Sequence, residues 1–261
     1  MHRFHIAPED WNPDALALNE AEAHHARDVL RMKRGDRAVV FNGRGREITA
    51  EVIDLRESEV RFRKLYESDM PPPRCRITLG QAIPKGKNMD LIVQKAVEIG
   101  AVEIAPLISE RTIVDLDQKE AAQKREKWQQ VAIEAAKQCG QNWLPQVKVP
   151  RKLKDFFDVA TGLRLFPTWH SDVAAAFDLR LIGSLQPDAI HLKKILGDYR
   201  GQHGDRPRSV LMMVGPEGDF TPAELALAKS HGCLPITLGP IILRVETAAI
   251  YCLSVLSYEL M

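Results

Sequence analysis

Val210-Leu211-Met212-Met213-Val214-Gly215-Pro216-Glu217-Gly218-Asp219-Phe220 is the stretch of this chain that says most about its fold. A short apolar run bounded by turn residues reads as a strand covered on both faces. Glycine and proline then turn the chain. Thr221-Pro222-Ala223-Glu224 has capping-box spacing, with proline at the first helical position. Strand, glycine turn and helix in succession form the unit of an α/β fold with a parallel sheet. Glycines at that junction let a ligand approach the backbone, and open parallel sheets bind ligands beyond the carboxyl ends of their strands. The spacing fits an ordinary tight turn equally well. Gly215-Pro216-Glu217-Gly218 is neither the GxGxxG dinucleotide fingerprint nor a Walker loop.

Downstream, a second strand at Pro235–Leu238 runs into Gly239-Pro240-Ile241-Ile242-Leu243-Arg244-Val245-Glu246-Thr247. Arg244 and Glu246 stand at the entrance of a last helix that is apolar almost all round, which predicts burial against the sheet or a second subunit. Two residues apart, such a pair is more often a structural ion pair or cap than a catalytic set.

Upstream, the same alternation continues. Arg76–Leu79 reads as a strand, followed by a helix that Asn88 caps. Met89, Ile92, Val93 and Ala96 sit on one face of that helix, and Gly100 stops it. Val102–Leu107 is the next strand, and Trp128, Val131, Ala132, Ala135 and Cys139 form one stripe of a long helix. Further strands are predicted at Gln146–Val149 and Leu163–Phe166. Segment 170–209 has no clear pattern and is expected to include a variable loop around Gly197–Arg208.

Pro71-Pro72-Pro73 interrupts this rhythm with a stiff spacer. Before it, a helix from about Glu20 to Arg31 is followed by strands at Ala38–Phe41, Ile48–Ile53 and Glu59–Arg63. The first two strands are joined by the hairpin signal Asn42-Gly43-Arg44-Gly45. The division is a small β-barrel-like domain over 1–70, a linker over 71–75 and an α/β domain over 76–261.

Of the 261 residues, 45% are apolar and 27% charged, which argues against disorder and leaves enough for one good core or two small ones. Net charge is +1, so the chain is no bulk polycation. Residues 24–46 are nonetheless locally basic, with seven Lys/Arg (Arg27, Arg31, Lys33, Arg34, Arg37, Arg44, Arg46) against Asp28 and Asp36. Charge alone fits a solvated face. Cys75, Cys139, Cys233 and Cys252 have neither CxxC nor zinc-finger spacing and read as reduced, buried thiols, with no metal site. The opening residues lack the apolar core of a secretory signal, and no apolar stretch is free enough of charge to span a bilayer. A cytoplasmic protein is expected.

With Val214–Gly218 and Leu238–Ala248 in place, the chain resembles the SPOUT methyltransferases, and within them the ribosomal RNA small subunit methyltransferase E family. Arg3-Phe4, His24-His25, Val29–Met32 and Gly35-Asp36 resemble that family's PUA-like N-terminal domain. Lys85-Gly86-Lys87, Gln94–Ala96, Glu98–Gly100, Trp128 and Glu134–Gly140 resemble its first SPOUT helices. Where the family has a second glycine this chain has Asp219, and where it has arginines this chain has Gln141 and Ile241.

The resemblance implies a C-terminal domain threaded as a trefoil knot, an exception to the rule that chains avoid knots. It also implies S-adenosyl-L-methionine as cofactor, a homodimer, and methylation of uridine N3 in the 16S rRNA of the small ribosomal subunit. Phe166, Pro167 and Thr168 map onto the first knot loop. Gly215, Glu217 and Gly218 map onto the second, and Leu238, Gly239, Ile242 and Leu243 onto the third; together these would hold the cofactor. Arg3, Arg27, Arg31, Lys33, Arg34, Lys85 and Lys87 would contact RNA.

The chemistry can be argued from the residues. Removing the N3 proton of uracil puts negative charge on O2 and O4, which a fixed guanidinium stabilises. Arg244 suits that role, because it is always charged and can donate twice to a base edge. Glu246 is a candidate proton acceptor, alongside water or another residue. Two other readings stay open, a non-catalytic RNA-binding protein on the same fold and a methyltransferase acting on a different nucleotide. An unrelated phosphate-binding enzyme is disfavoured by the absence of a Walker lysine.

Overall fold

Strand burial explains the main sheet. Arg76–Ala82 and Ser209–Val214 are buried at every position after the first, a pattern that only a sheet covered on both faces produces. In chain order the elements are β1 (His2–His5), β2 (Ala17–Asn19), α1 (Glu20–His24), a π turn (His25–Val29), β3 (Arg37–Phe41), β4 (Arg46–Leu55) and β5 (Glu59–Asp69). There follow β6 (Arg76–Ala82), α2 (Asn88–Ile99), β7 (Glu103–Ile108), α3 (Gln118–Cys139), β8 (Gln146–Val147), β9 (Arg151–Lys152) and α4 (Leu153–Asp158). The last are β10 (Leu179–Gly183), β11 (Ile190–His191), α5 (Leu192–His203), β12 (Ser209–Val214), α6 (Pro222–Ser230), β13 (Leu234–Thr237) and α7 (Val245–Leu260). A computed structural model describes residues 1–112, 116–158 and 177–261, the Glu20 side chain excepted.

The chain divides into two compact units. The first comprises Met1–Pro72 and Ile133–Leu144, so it includes the last turns of α3. Its five strands lie in the order β1-β3-β4-β5-β2, with β1 parallel to β3 and the other pairs antiparallel. Bulges between Thr49 and Ala50 and between Val52 and Asp54 bend β4. Alternation sends Ile48, Ala50 and Val52 of β4 into a core with Phe4, Leu18, Val40, Val60 and Phe62, closed by Ala23 and Ala26.

The second unit holds Pro73–Ala132 and Pro145–Met261. Its sheet runs β11-β13-β10-β12-β6-β7-β8, with β9 beside β7, and every pairing is parallel. Leu107, Ile182, Leu211 and Met213 meet Leu153 and Phe157 of α4 and Leu225 and Ala228 of α6 in one core cluster. Helix α7 packs against α2, β6 and β12. Among the described residues no helix is long and apolar enough to cross a membrane.

Several local expectations are corrected. Asn88 is the first residue of α2 rather than its cap; Lys87 holds the cap position without a side-chain bond. Gly100 does end that helix, at φ 96°. The predicted variable loop is largely α5, because Gly197 and Gly201 lie within a helix whose turns Lys194 and Asp198 brace at i,i+4. Helix 20–31 is one turn of α-helix and a π turn, and β8 stops at Val147. Cys139 is exposed on the last turn of α3, whereas Cys75, Cys233 and Cys252 are buried and burial pushes their thiols up to about 12. Helix α7 buries one face only, with Tyr258 86% exposed on the other. The strand expected at 163–166 lies outside the described residues.

Candidate active site

Because the sheet is parallel, the carboxyl ends of β6, β7, β10, β12 and β13 share one edge, and their turns meet there. The Gly215–Phe220 turn is tied down from three sides. Glu217 Oε1 accepts the Lys85 N–H at 2.9 Å from the turn after β6. The Arg111 guanidinium, after β7, donates to the Gly218 carbonyl. Asp219 Oδ2 accepts the Leu185 N–H at 3.3 Å, after β10.

Two points of this turn leave little room for a side chain. A Cβ on Gly215 would stand 3.2 Å from the Phe220 nitrogen, and one on Gly218 would stand 3.2 Å from Arg111 Cδ. Asp219 sits at φ 63°. Aspartate tolerates that left-handed conformation because its carboxylate bonds locally, here with Oδ1 accepting the Phe220 N–H at 2.8 Å.

The helix that follows is anchored equally firmly. Thr221 Oγ1 accepts from the Glu224 N–H at 3.3 Å, and Glu224 Oε2 accepts from Thr221 N–H at 2.9 Å, which completes the capping box. The other carboxylate oxygen of Glu224 accepts the Glu110 N–H at 2.9 Å, tying α6 to the turn after β7.

The second turn, Leu238–Arg244, is less tied. Thr237 and Gly239 bond each other, with Gly239 at φ 120° and open space where a Cβ would point. Ile241 and Ile242 are 73% and 75% exposed. Arg244 occupies the N-cap position of α7 with no side-chain cap bond, and its exposed guanidinium has no partner among the described residues. Glu246, in the first turn of α7, accepts from Asn88 Nδ2 at 3.4 Å.

Gln81, at the end of β6, is fully buried. Its Nε2 donates to the Ala82 carbonyl at 2.8 Å, but Oε1 has no partner. An orphaned acceptor beside Val214, its register partner on β12, is a group that a bound ligand would satisfy. With the open Gly239, it makes this strand edge fit a small polar ligand held mainly by backbone.

The proposed RNA contacts fall into two sets. Arg3 is engaged within its own unit, by Glu47 at 2.8 Å and by Asn142. Burial raises the Glu47 carboxyl, but hydrogen bonds from Arg3 and Asn142 outweigh it and leave the group below its usual range. Arg27 is paired in a fork with Asp28, which holds that carboxyl low. Arg31, Lys33 and Arg34 are exposed with unpaired side chains, Arg31 at φ 53°. Lys85 and Lys87 are exposed in the turn after β6, at the edge of the site. Phe166, Pro167 and Thr168 lie outside the described residues.

Gln81, Arg111, Asn88 and the Leu185 N–H were not found by sequence reasoning. Gln81 had left a signal, as a long polar side chain near the end of the mostly apolar Ile77–Ile83. The others matter through contacts that cross the sheet, and no local pattern carries those.

A family model for an RNA methyltransferase domain matches residues 71–257, and one for an RNA methyltransferase PUA domain matches 18–65. The fold is thus that of a SPOUT-class RNA methyltransferase. A ribosomal RNA small subunit methyltransferase E from Synechocystis is 30% identical, covering 95% of this chain and 74% of the relative. One from Neisseria gonorrhoeae, solved bound to S-adenosyl methionine, is 30% identical with a TM-score of 0.79, over 99% of this chain and 97% of that one. A Legionella pneumophila methyltransferase solved with the cofactor SAM gives 32% identity and a TM-score of 0.81, over 98% and 96%. The chain belongs to the ribosomal RNA small subunit methyltransferase E family.

Proposed function

We propose that this protein transfers a methyl group from S-adenosyl-L-methionine to N3 of a uridine in the 16S rRNA of the small ribosomal subunit. One observation carries the reading. An unpaired arginine and a glutamate stand together at the head of α7, at the strand edge where the glycine turns would hold a cofactor. When bound, the cofactor supplies an electrophilic methyl group on a sulfonium.

Gly215, Glu217, Gly218, Leu238, Gly239, Ile242 and Leu243 hold it in this reading, with Phe166, Pro167 and Thr168 from the remaining loop. Glu217 acts by bracing the turn through Lys85 rather than by touching the ligand. Arg244 donates to the uracil oxygens as the N3 proton leaves, and stabilises the charge that develops there. Glu246 takes that proton, held in place by Asn88. With that proton removed, the N3 lone pair would be free to take the methyl group that the bound cofactor would supply.

The basic run of the first unit, with Arg31, Lys33 and Arg34 free, positions RNA through its phosphates, and Lys85 and Lys87 of the second unit are RNA contacts of their own. The domains of the sequence reading divide the work accordingly, RNA binding over 1–70 and methyl transfer over 76–261. A ribosomal substrate places the protein in the cytoplasm. The uncovered face of α7, with Tyr251 and Tyr258, is where a second copy would pair.

The test uses small ribosomal subunits that lack the modification. Incubation with labelled S-adenosyl-L-methionine should transfer label and create one reverse-transcription stop near the 3′ end of 16S rRNA, because an N3 methyl blocks base pairing. Label without that stop moves the target to another nucleotide. Cofactor binding without any transfer favours a non-catalytic RNA-binding protein on this fold.

A further inference from the structure

The first unit contains a feature that methyl transfer does not use. A cavity of about 600 Å³ lies beside the turn between β3 and β4, a size usual for sites that take small organic groups. Trp11, Trp143, Arg44 and Arg46 line it, with the chain from Asp69 to Pro72.

Trp143 is a fixed wall. Its Nε1 donates to the carbonyls of Met70 and Pro71, each at 3.0 Å. Gly45 lies so close that a Cβ there would stand 2.7 Å from the ring. Trp11 packs against the hydrophobic core, and its buried Nε1 has no hydrogen-bond partner. Asp69, a carboxylate on the wall, is already met by Arg46 at 3.3 Å. The exposed Arg44 guanidinium has no partner among the described residues.

Two indoles beside a free guanidinium suit a nucleobase face and its phosphate. Paired bases hide their faces in the stack, so the match is to single-stranded RNA. We propose that this cavity binds one unpaired nucleotide of an RNA, its base against Trp11 and Trp143 and its phosphate on Arg44. The inference rests on the proposed function in taking RNA as the substrate, and adds a contact remote in sequence from Arg244 and Glu246.

The test titrates the full-length protein, at low salt, against fluorescein-labelled hexauridylate and a fully paired RNA hairpin of equal charge. Cofactor binding is followed separately by calorimetry. Hexauridylate should bind better than the hairpin and quench tryptophan fluorescence, and Arg44→Ala should weaken it about tenfold. Trp11→Phe keeps a stacking ring and should retain binding while losing part of the quench. Gly45→Ala, which pushes on the Trp143 ring, should weaken binding too.

Arg44 is exposed, so its variant folds even if changes at Trp11 or Gly45 do not. Wild-type affinity in Arg44→Ala with an unchanged quench in Trp11→Phe overturns the proposal, as does a hairpin bound as tightly as hexauridylate. Weakened variants in a protein that transfers no methyl to ribosomal subunits support the pocket and defeat the methyl-transfer reading. Normal transfer with unimpaired pocket variants does the reverse.

Discussion

The turns after β12 and β13 leave the same edge of one sheet, yet they are built on opposite plans. The first is finished by the chain itself. Glu217, Gly218 and Asp219 each receive a bond from a different neighbouring turn, and Glu224 closes the helix behind them. The second makes bonds between Thr237 and Gly239 and leaves two isoleucines and an arginine facing solvent. A turn with its polar groups satisfied keeps its shape without a ligand, and preformed shape lowers the ordering cost of binding. A turn with free groups is suited to meeting what arrives. On the proposed reading, the first presets one wall of the cofactor's seat, and the second completes that seat and carries the arginine that engages the base.

The largest expected effect would break this contrast if it failed. Arg244→Ala should lower the rate of methyl transfer by about a hundredfold or more, the usual cost of removing a donor to a developing oxyanion. Calorimetry should show cofactor affinity little changed. A variant that instead loses cofactor binding would place Arg244 among the seat residues and erase the distinction between the turns.

Glu224→Ala tests the opposite turn. Its buried carboxylate accepts two backbone N–H groups, so truncation should cost about 2–3 kcal/mol in urea unfolding. Cofactor affinity should fall with it, because the turn before α6 loses its anchor.

Asp219 sharpens the comparison at smaller scale. Asp219→Ala puts an ordinary side chain at φ 63° and removes the Leu185 tie, at a cost of about 1–2 kcal/mol. Asp219→Gly should recover much of that loss. Ile242→Ser, in the exposed turn, should change stability by no more than about 0.5 kcal/mol. Equal costs for Asp219→Ala and Ile242→Ser would mean that the two turns are braced alike.

The smallest effect lies in the first unit and serves as a control on both turns. Burial and the Lys137 charge lower the His5 pKa below the ordinary 6.5, so folding favours its neutral form. The stability this contributes is fully present above pH 6.5 and declines as pH falls towards the lowered value. His5→Gln should flatten that part of a Tm-against-pH curve without altering methyl transfer.

Much of this contrast was legible in the sequence, though unevenly. Val210–Val214 and Thr221–Glu224 announce the strand, the turn and the cap, because apolar runs and capping boxes are local patterns. The Arg244–Glu246 pair was visible for the same reason. The braces were not: Lys85, Arg111 and Leu185 come from three other turns, and only the parallel register brings them together. The same limit explains Arg3, which the resemblance makes an RNA contact but which meets Glu47, 44 residues away, in the fold. Helix α5 was missed because Gly197 and Gly201 read as loop residues when their neighbours' i,i+4 pairing is ignored.

Helix α3 limits how the molecule can be taken apart. The proline run looks like a place to cut, yet the first unit includes Ile133–Leu144 from well beyond it. A fragment ending at Pro72 would lack Asn142, which binds both Arg3 and Glu47, and Trp143, which caps the Met70 and Pro71 carbonyls. Its Glu22 would also lose Lys137. The N-terminal sheet is therefore a poor candidate for life as a free-standing module, and a lineage that shuffled it alone would have to replace a wall supplied from 73 residues beyond Met70.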